Sequence, residues 1–511
     1  MTMGMNKVKA KAVMVLGTGS GVGKSVIAAG FCRILSDWGY RVAPFKAQNM
    51  SNNSYVTEEG GEMGRAQVVQ AECARVRPHV DMNPVLLKPA ADNHSQVVVQ
   101  GHAIGHLSAV NYYAQREVIA RAVRESYERL ASEYEVIVLE GAGSPAEVNL
   151  KKNDLVNMQM AEWADASCVL VGDIDKGGIF ASLLGTLDLL TLEERGRIRG
   201  LIVNKFRGDL TLFKDGVDFI EKKSGKKIWG VLPYTHHIKL DEEDALPEKN
   251  AHAPSVSAND LDIAVILLPR MSNFTDFEVL RAEPGIRLRY VESAAKLGVP
   301  DLVILPGTKA TMADCRYLIE SGFREKLRAY VDRGGSVLGI CGGYQMMGEK
   351  LLDPEHVESG APEMEGFGFL NMTTRFGEQK VLRRVSTYLD VQWLGQAIRG
   401  KVEAYEIHMG SSILDGVDEA GVMSPLYCHE NLAGTYYHGL FESAEFRESF
   451  LNALAAHAGK QRSVDRNAVS AWTRKEEHYR LWADHLARNL DLELLRSCLD
   501  LSLSPDSFSK R

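Results

Sequence analysis

Short apolar, β-branched runs recur along the first half of the chain, centred on Val13, Val42, Ile137, Val169, Ile202 and Val231, with helical periodicity between most of them. One helical stretch runs from Val26 to Trp38, where Val26, Ile27, Phe31, Ile34 and Leu35 recur at the spacing of a single helix face. Runs that are apolar throughout, rather than alternating, suit strands buried on both faces, so the pattern predicts a parallel sheet covered by helices. Ligands of such sheets bind outside the carboxyl ends of the strands. The polar segments that end each run are therefore where chemistry is expected.

From Leu246 to Asn259 the periodicity stops and two prolines intervene, which predicts a linker. Strand-like runs resume at Ile263–Leu268, Ile286–Val291 and Leu302–Leu305, again with helical stretches between them, so a second α/β unit follows. Beyond Phe450 the chain turns helical and charged, with Trp472, Tyr479, Leu481 and Trp482 as its packing residues. The expected division is thus residues 1–245, a linker 246–259, a second domain 260–452 and a helical extension 453–511. No internal repeat relates the halves. At roughly 150 residues per domain, a chain of 511 residues has room for such a division.

Composition changes this picture little. Hydrophobic residues make up 45% and charged ones 25%, as in ordinary globular proteins, and the net charge of −8 offers no overall basic field for nucleic acid or an anionic membrane. The basic start, Met1 to Lys11, precedes an apolar run that breaks at Gly17, too short for a signal-peptide core, and no segment is long and apolar enough to span a bilayer. Seven scattered cysteines without a C-x-x-C pair argue against disulfide or zinc frameworks and for a reducing cytoplasm. The expected partners are small molecules, with a homo-oligomer left open.

The first strand run ends in Gly17-Thr18-Gly19-Ser20-Gly21-Val22-Gly23-Lys24-Ser25. A glycine-rich turn between a strand and a helix lets backbone N–H groups close around phosphate, aided by the helix N-terminus. Thr18, Gly19, Ser20, Gly21, Val22 and Gly23 would cradle the phosphates of ATP, Lys24 would reach the terminal ones, and Ser25 would ligate Mg²⁺. Thr18 stands where the general pattern has its first glycine. The second run ends in Phe45-Lys46-Ala47-Gln48-Asn49-Met50-Ser51-Asn52-Asn53-Ser54. Lys46 would enter the same crevice as Lys24, and Gln48, Asn49 and Asn52 suit a large ligand rich in amide and carboxylate groups, since amides both donate and accept.

Glu140, at the tip of the run Val136–Leu139, is either the second Mg²⁺ ligand or an ordinary strand-ending acid; beside a phosphate loop the metal role is the better reading. Asp173 and Asp175 repeat the theme one strand on. Asn204 ends the next strand and could meet an adenine edge or shape a loop. His236 and His237 lack other ligands at metal spacing and are read as loop residues.

The form of the phosphate loop resembles the variant found in dethiobiotin synthetase and its amidoligase relatives. The segments Phe45–Asn53, Glu140-Gly141-Ala142-Gly143-Ser144-Pro145-Ala146-Glu147 and Asp173-Ile174-Asp175-Lys176-Gly177-Gly178-Ile179-Phe180 resemble hallmarks of the cobyric acid synthase family, and they separate it from the related a,c-diamide synthases. The resemblance implies a dethiobiotin synthetase-like P-loop NTPase domain followed by a class I, triad-type glutamine amidotransferase domain. It also implies ATP- and glutamine-dependent amidation of the b, d, e and g carboxylates of adenosylcobyrinic acid a,c-diamide.

The second half carries its own signal, Gly339-Ile340-Cys341-Gly342-Gly343, where a strand runs into a helix. Small neighbours permit the tight turn that exposes a nucleophilic sulfur, and the helix N-terminus favours the thiolate. The turn resembles that of the triad amidotransferases, in which Gly342 and the Leu305-Pro306-Gly307-Thr308 loop, through Gly307, would supply the oxyanion hole. Candidate bases are His408, His429 and His438, and Tyr436-Tyr437-His438-Gly439 matches the family's late His-Gly segment. Leu440 occupies the position where many relatives have the orienting glutamate. Glu442 is one substitute, and a Cys–His dyad is the other. The nearest rival activity is that of cobyrinic acid a,c-diamide synthase, and a rival of another class is a partner-binding ATPase switch with a vestigial cysteine domain.

Overall fold

The computed structural model describes residues 10–91, 94–108, 112, 114–238, 240, 259–414, 425–462 and 470–501. All but the last residue of the expected linker, and most of the basic start, lie outside them. Among the described residues no helix is long and apolar enough to cross a membrane.

Each of the six apolar runs of the first half forms a strand of one parallel sheet, ordered Lys227–Pro233, Ile198–Phe206, Ser167–Asp173, Lys11–Gly17, Val136–Glu140, Val42–Phe45. The chain leaves the first strand for the far edge and later returns to its other side. The strand order therefore reverses about Lys11–Gly17, and a crevice opens there at the carboxyl ends. Helix Lys24–Asp37 starts at that point, burying Ile27, Phe31, Ile34 and Leu35 against the sheet.

The second half repeats the theme. Its main sheet runs Ile286–Val291, Leu261–Ile266, Leu302–Leu305, Ser336–Ile340, Leu432–Thr435, parallel throughout, with Tyr427–His429 added antiparallel at the edge. Beside it stands a hairpin that hydrophobic patterning did not predict, Met372–Trp393 paired with Gln396–Leu414. It reverses through Leu394 and Gly395, both at positive φ (54° and 72°), the backbone of a tight two-residue turn. The first half has a smaller addition, a four-stranded sheet of Gln48–Met50, Val85–Ala91, His94–Val99 and His102–Ser108.

Helix Ala444–His457 crosses the expected boundary at 452, and Phe446, Phe450, Leu451 and Leu454 pack into the core of the second half. The last helices return to the first half. Helix Ala471–Asn489 lies on helix Lys24–Asp37, with Tyr479, Trp482 and Leu486 buried and the Trp482 indole N–H donating to Val26 O at 2.6 Å. Trp472 does not pack: it is 53% exposed. Trp472 precedes Tyr479 by seven residues and so shares its phase, but it stands in the first turn of the helix, ahead of the stretch that packs.

Candidate active site

The phosphate loop takes its shape from close backbone contacts. Gly23 has φ 100°, and a Cβ there would lie 2.2 Å from the Asn204 amide nitrogen, so only glycine fits. Thr18 N–H donates to Val171 O at 2.9 Å, tying the loop to the neighbouring strand. Asn204 Nδ2 donates to Val22 O at 2.9 Å. Asn204 therefore braces the loop through its side-chain amide.

In front of the loop lies a cavity of about 480 Å³ lined by Ser20, Gly21, Lys24, Ser25, Lys46 and Gln48, among others. Asn49, Glu140, Gly143 and Lys205 complete its polar wall. Thr18, Gly19, Val22 and Asn204 are not part of this lining. Lys24 Nζ donates to Gly19 O at 2.7 Å and to Gly143 O at 3.1 Å, bridging the loop to the turn after the Glu140 strand. Lys205, which the motif reading left out, donates to Gly21 O at 2.7 Å and pairs with Asp173 at 3.1 Å.

Glu140 is the hub. Its Oε1 accepts from Ser25 Oγ at 2.7 Å and from Lys46 Nζ at 2.9 Å, and its Oε2 accepts from Gln70 Nε2 at 2.6 Å. Burial alone would raise this carboxyl, but the Lys46 ammonium and the Ser25 and Gln70 hydrogen bonds hold it below the ordinary carboxylate range. Hydroxyl and carboxylate oxygens adjoin here with a cation already on the carboxylate, a donor set that suits Mg²⁺. Gln67 and Gln70 were missed from sequence. Nothing in the sequence marks them; the structure buries both, three residues apart on helix Arg65–Cys73, and their polar ends find partners inside.

Of the remaining amide-run residues, Gln48 Oε1 accepts from the Tyr112 hydroxyl and Asn49 Nδ2 donates to Gln67 Oε1 at 3.0 Å. Asn52 does not line the cavity. Asp175 pairs with Arg207 at 2.6 Å. His236 and His237 are exposed, and among the described residues no group of three or more His, Cys, Asp or Glu could hold a metal.

The second constellation lies at the end of strand Ser336–Ile340. Cys341 has φ 51° and ψ −112°, a strained conformation for a residue with a Cβ, and it opens a short helix. The turn is held against the Leu305–Thr308 loop: a Cβ on Gly343 would lie 2.0 Å from Leu305 O. Gly342 is packed on Thr308, and Gly307 faces His438, with 3.0 Å from a Cβ position on Gly307 to His438 Cε1. The two predicted oxyanion residues and the predicted base thus converge on Cys341.

His438 is 1% exposed, and its Nδ1 lies 2.7 Å from Asp276 Oδ2, while Asp276 Oδ1 accepts from Gly439 N–H at 2.9 Å. Complete burial on its own would lower the imidazole, but the Asp276 carboxylate and then the Cys341 thiol reverse this and raise it to about 10. The acid paired with His438 is therefore Asp276. Glu442, the residue suggested by its place after the histidine, faces Arg65 and Lys475 instead. Asp276 lies in a turn after the first strand of this half, more than a hundred residues before His438, and no spacing rule connects them. Of the other candidate bases, His429 is exposed, and His408 stacks on Tyr436 with burial lowering it to about 4.

Two family models match the chain: a CobQ/CobB/MinD/ParA nucleotide binding domain over residues 13–247 and a CobB/CobQ-like glutamine amidotransferase domain over residues 262–446. A cobyric acid synthase of Syntrophobacter fumaroxidans is 48% identical over 517 aligned residues, covering 96% of this chain and 99% of its own. One from Carboxydothermus hydrogenoformans is 45% identical over 502, covering 96% and 100%. One from Listeria monocytogenes serotype 4b is 44% identical over 505, covering 96% of both chains.

Proposed function

The chain belongs to the cobyric acid synthase family, and on that premise we propose how its two pockets share one reaction. It is a glutamine-hydrolysing ligase that uses ATP to amidate carboxylates of a corrin. We assign the b, d, e and g carboxylates of adenosylcobyrinic acid a,c-diamide as its targets and the cytoplasm as its setting.

A carboxylate resists attack by ammonia because it would have to expel an oxide. Transfer of the γ-phosphoryl group from ATP gives an acyl phosphate, whose leaving group is phosphate. Lys24 and Lys46 offset the charge of the transferring group, and Lys46 stands on Glu140 at 2.9 Å, ready to exchange one anion for another. Ser25 and Glu140 would hold Mg²⁺, which when bound supplies charge neutralisation at the phosphates. Gln48 and Asn49, on the cavity wall, suit the amide and carboxylate rim of the corrin.

Ammonia in water at neutral pH is mostly ammonium and cannot attack, so it is made in place. The Cys341 thiolate adds to the glutamine amide carbon, and the N–H groups of Gly307 and Gly342 stabilise the oxyanion. His438 passes a proton to the departing nitrogen, leaving a thioester that water hydrolyses to glutamate. Asp276 keeps the imidazole in the tautomer and orientation this requires.

The observation that carries the reading is the strained Cys341 elbow beside a buried His438 paired with Asp276 at 2.7 Å, in the same chain as a phosphate loop wired to Glu140. The test is mass spectrometry of a corrin a,c-diamide incubated with ATP, Mg²⁺ and either glutamine or ammonia. Stepwise mass losses, one for each OH replaced by NH₂, are expected with both nitrogen sources. In C341A only ammonia should support them. Equal loss with both sources would contradict the division into two pockets.

A further inference from the structure

One of the places where the halves meet lies at the end of the Phe45–Asn53 segment. Asn53, near the end of the amide-rich run, faces Asn273, three residues before Asp276. Each side chain caps the other's backbone: Phe274 N–H donates to Asn53 Oδ1 at 3.2 Å, and Ser54 N–H donates to Asn273 Oδ1 at 3.1 Å. Both asparagines are buried. Asn273 sits at φ 52°, a left-handed conformation that asparagine tolerates better than most residues.

Ser54 makes a second connection. The Tyr405 hydroxyl donates to Ser54 O at 3.3 Å, and the Tyr405 ring stacks on the His438 imidazole with centroids 5.4 Å apart and planes 24° apart. The Asn53–Ser54 dipeptide of the ATP half therefore touches both supports of His438, the loop that carries Asp276 and the ring on its face. The same run begins at Lys46, on the carboxylate that also receives Ser25 of the phosphate loop.

We propose that Asn53 is a positioning residue for glutamine hydrolysis: from the ATP half it fixes the loop that aims Asp276 at His438. The proposal rests on reading Cys341, His438 and Asp276 as the glutaminase site. Its physical basis is the cost of an unpaired buried N–H. Without Oδ1 of residue 53, Phe274 N–H loses this acceptor, and the loop must shift to find another. A shift of the loop moves Asp276, and a misplaced orienting group lowers turnover without weakening substrate binding.

The test compares N53A and N53D with wild type in the full chain, measuring glutamate release across glutamine concentrations and ammonia-driven corrin amidation in parallel. Aspartate keeps an acceptor for Phe274 N–H, and alanine does not. N53A should lower kcat for glutamine hydrolysis by at least about fivefold, with KM and ammonia-driven amidation within about twofold of wild type. N53D should recover most of the lost kcat. The proposal is overturned if N53A hydrolyses glutamine at the wild-type rate. It is equally overturned if N53A loses both activities together and N53D restores neither, since Asn53 would then serve the fold alone. Failure of the underlying site reading shows itself separately, as glutamate release by C341A.

Discussion

Replacing Asp276 by Asn removes one charge and keeps the shape. In the wild type the carboxylate lies 2.7 Å from His438 Nδ1 and carries the imidazole from its ordinary 6.5 to about 10, with Cys341 contributing. A rise of that size corresponds to on the order of 5 kcal/mol favouring imidazolium. Asp276 acts through both charge and hydrogen bond, and losing a charge-assisted hydrogen bond to a buried group costs about 3 kcal/mol. Without it, burial dominates and pulls the imidazole down, so less of the Cys341–His438 pair exists as thiolate and imidazolium. At 1.4 kcal/mol per decade, D276N should lose about two orders of magnitude in kcat for glutamine hydrolysis. Glutamate release measures this directly, and ammonia-driven amidation, which bypasses the site, serves as the control.

The sign of the accompanying pH effect is fixed. A histidine raised in the folded state stabilises fully below its unfolded value near 6.5, and the gain is lost as pH rises through about 10. The stability gap between wild type and D276N should therefore be widest near pH 6 and narrow toward pH 10, as read from urea midpoints. A D276N enzyme that hydrolyses glutamine within threefold of wild type, with an unchanged gap across that range, would refute the assignment of Asp276 as the orienting acid.

K24A should abolish amidation with either nitrogen source, by at least ~100-fold, while some glutamine hydrolysis survives; parallel product assays decide it. G343A should cost glutaminase activity of similar size, because its Cβ would lie 2.0 Å from the Leu305 carbonyl oxygen and backbone has nowhere to go, while ammonia-driven amidation persists. W482A should remove a buried anchor of the last helices, at about 3 kcal/mol, and lower the first calorimetric transition by roughly 6–12 °C.

Much of the fold could be read from periodicity because its central strands are buried on both faces and therefore apolar throughout. The six runs of the first half are the six strands of its main sheet. The long hairpin escaped because only one of its faces is buried: exposed Arg399, Lys401 and Glu403 alternate with buried Ile398, Val402 and Ala404, so no continuous apolar run marks it. Lys24, Ser25, Glu140 and Cys341 sit where a strand ends in a short sequence signature, so the chain announces them locally. Asp276, Gln67, Gln70 and Lys205 owe their places to tertiary contacts over long separations, which no local spacing encodes.

The seam between the halves follows a different chemistry from either core. Glu62 accepts from Lys88 at 2.7 Å and also from Lys380, which in turn donates to Gln96 Oε1 at 3.0 Å. Burial would raise the Glu62 carboxyl, and Lys380 and then Lys88 hold it far below its ordinary value. Lys380 comes from the amidotransferase hairpin, whereas Glu62, Lys88 and Gln96 belong to the ATP half. Apolar side chains of similar volume would bind at least as well, since ion pairs must first be stripped of water. Apolar surfaces, however, can slide, whereas a buried carboxylate between two ammonium groups has one satisfied register. Removing either lysine would leave charge buried without its full complement, at a cost of several kcal/mol. A seam of this kind would trade net affinity for a single alignment, which the two-pocket scheme proposed above would require.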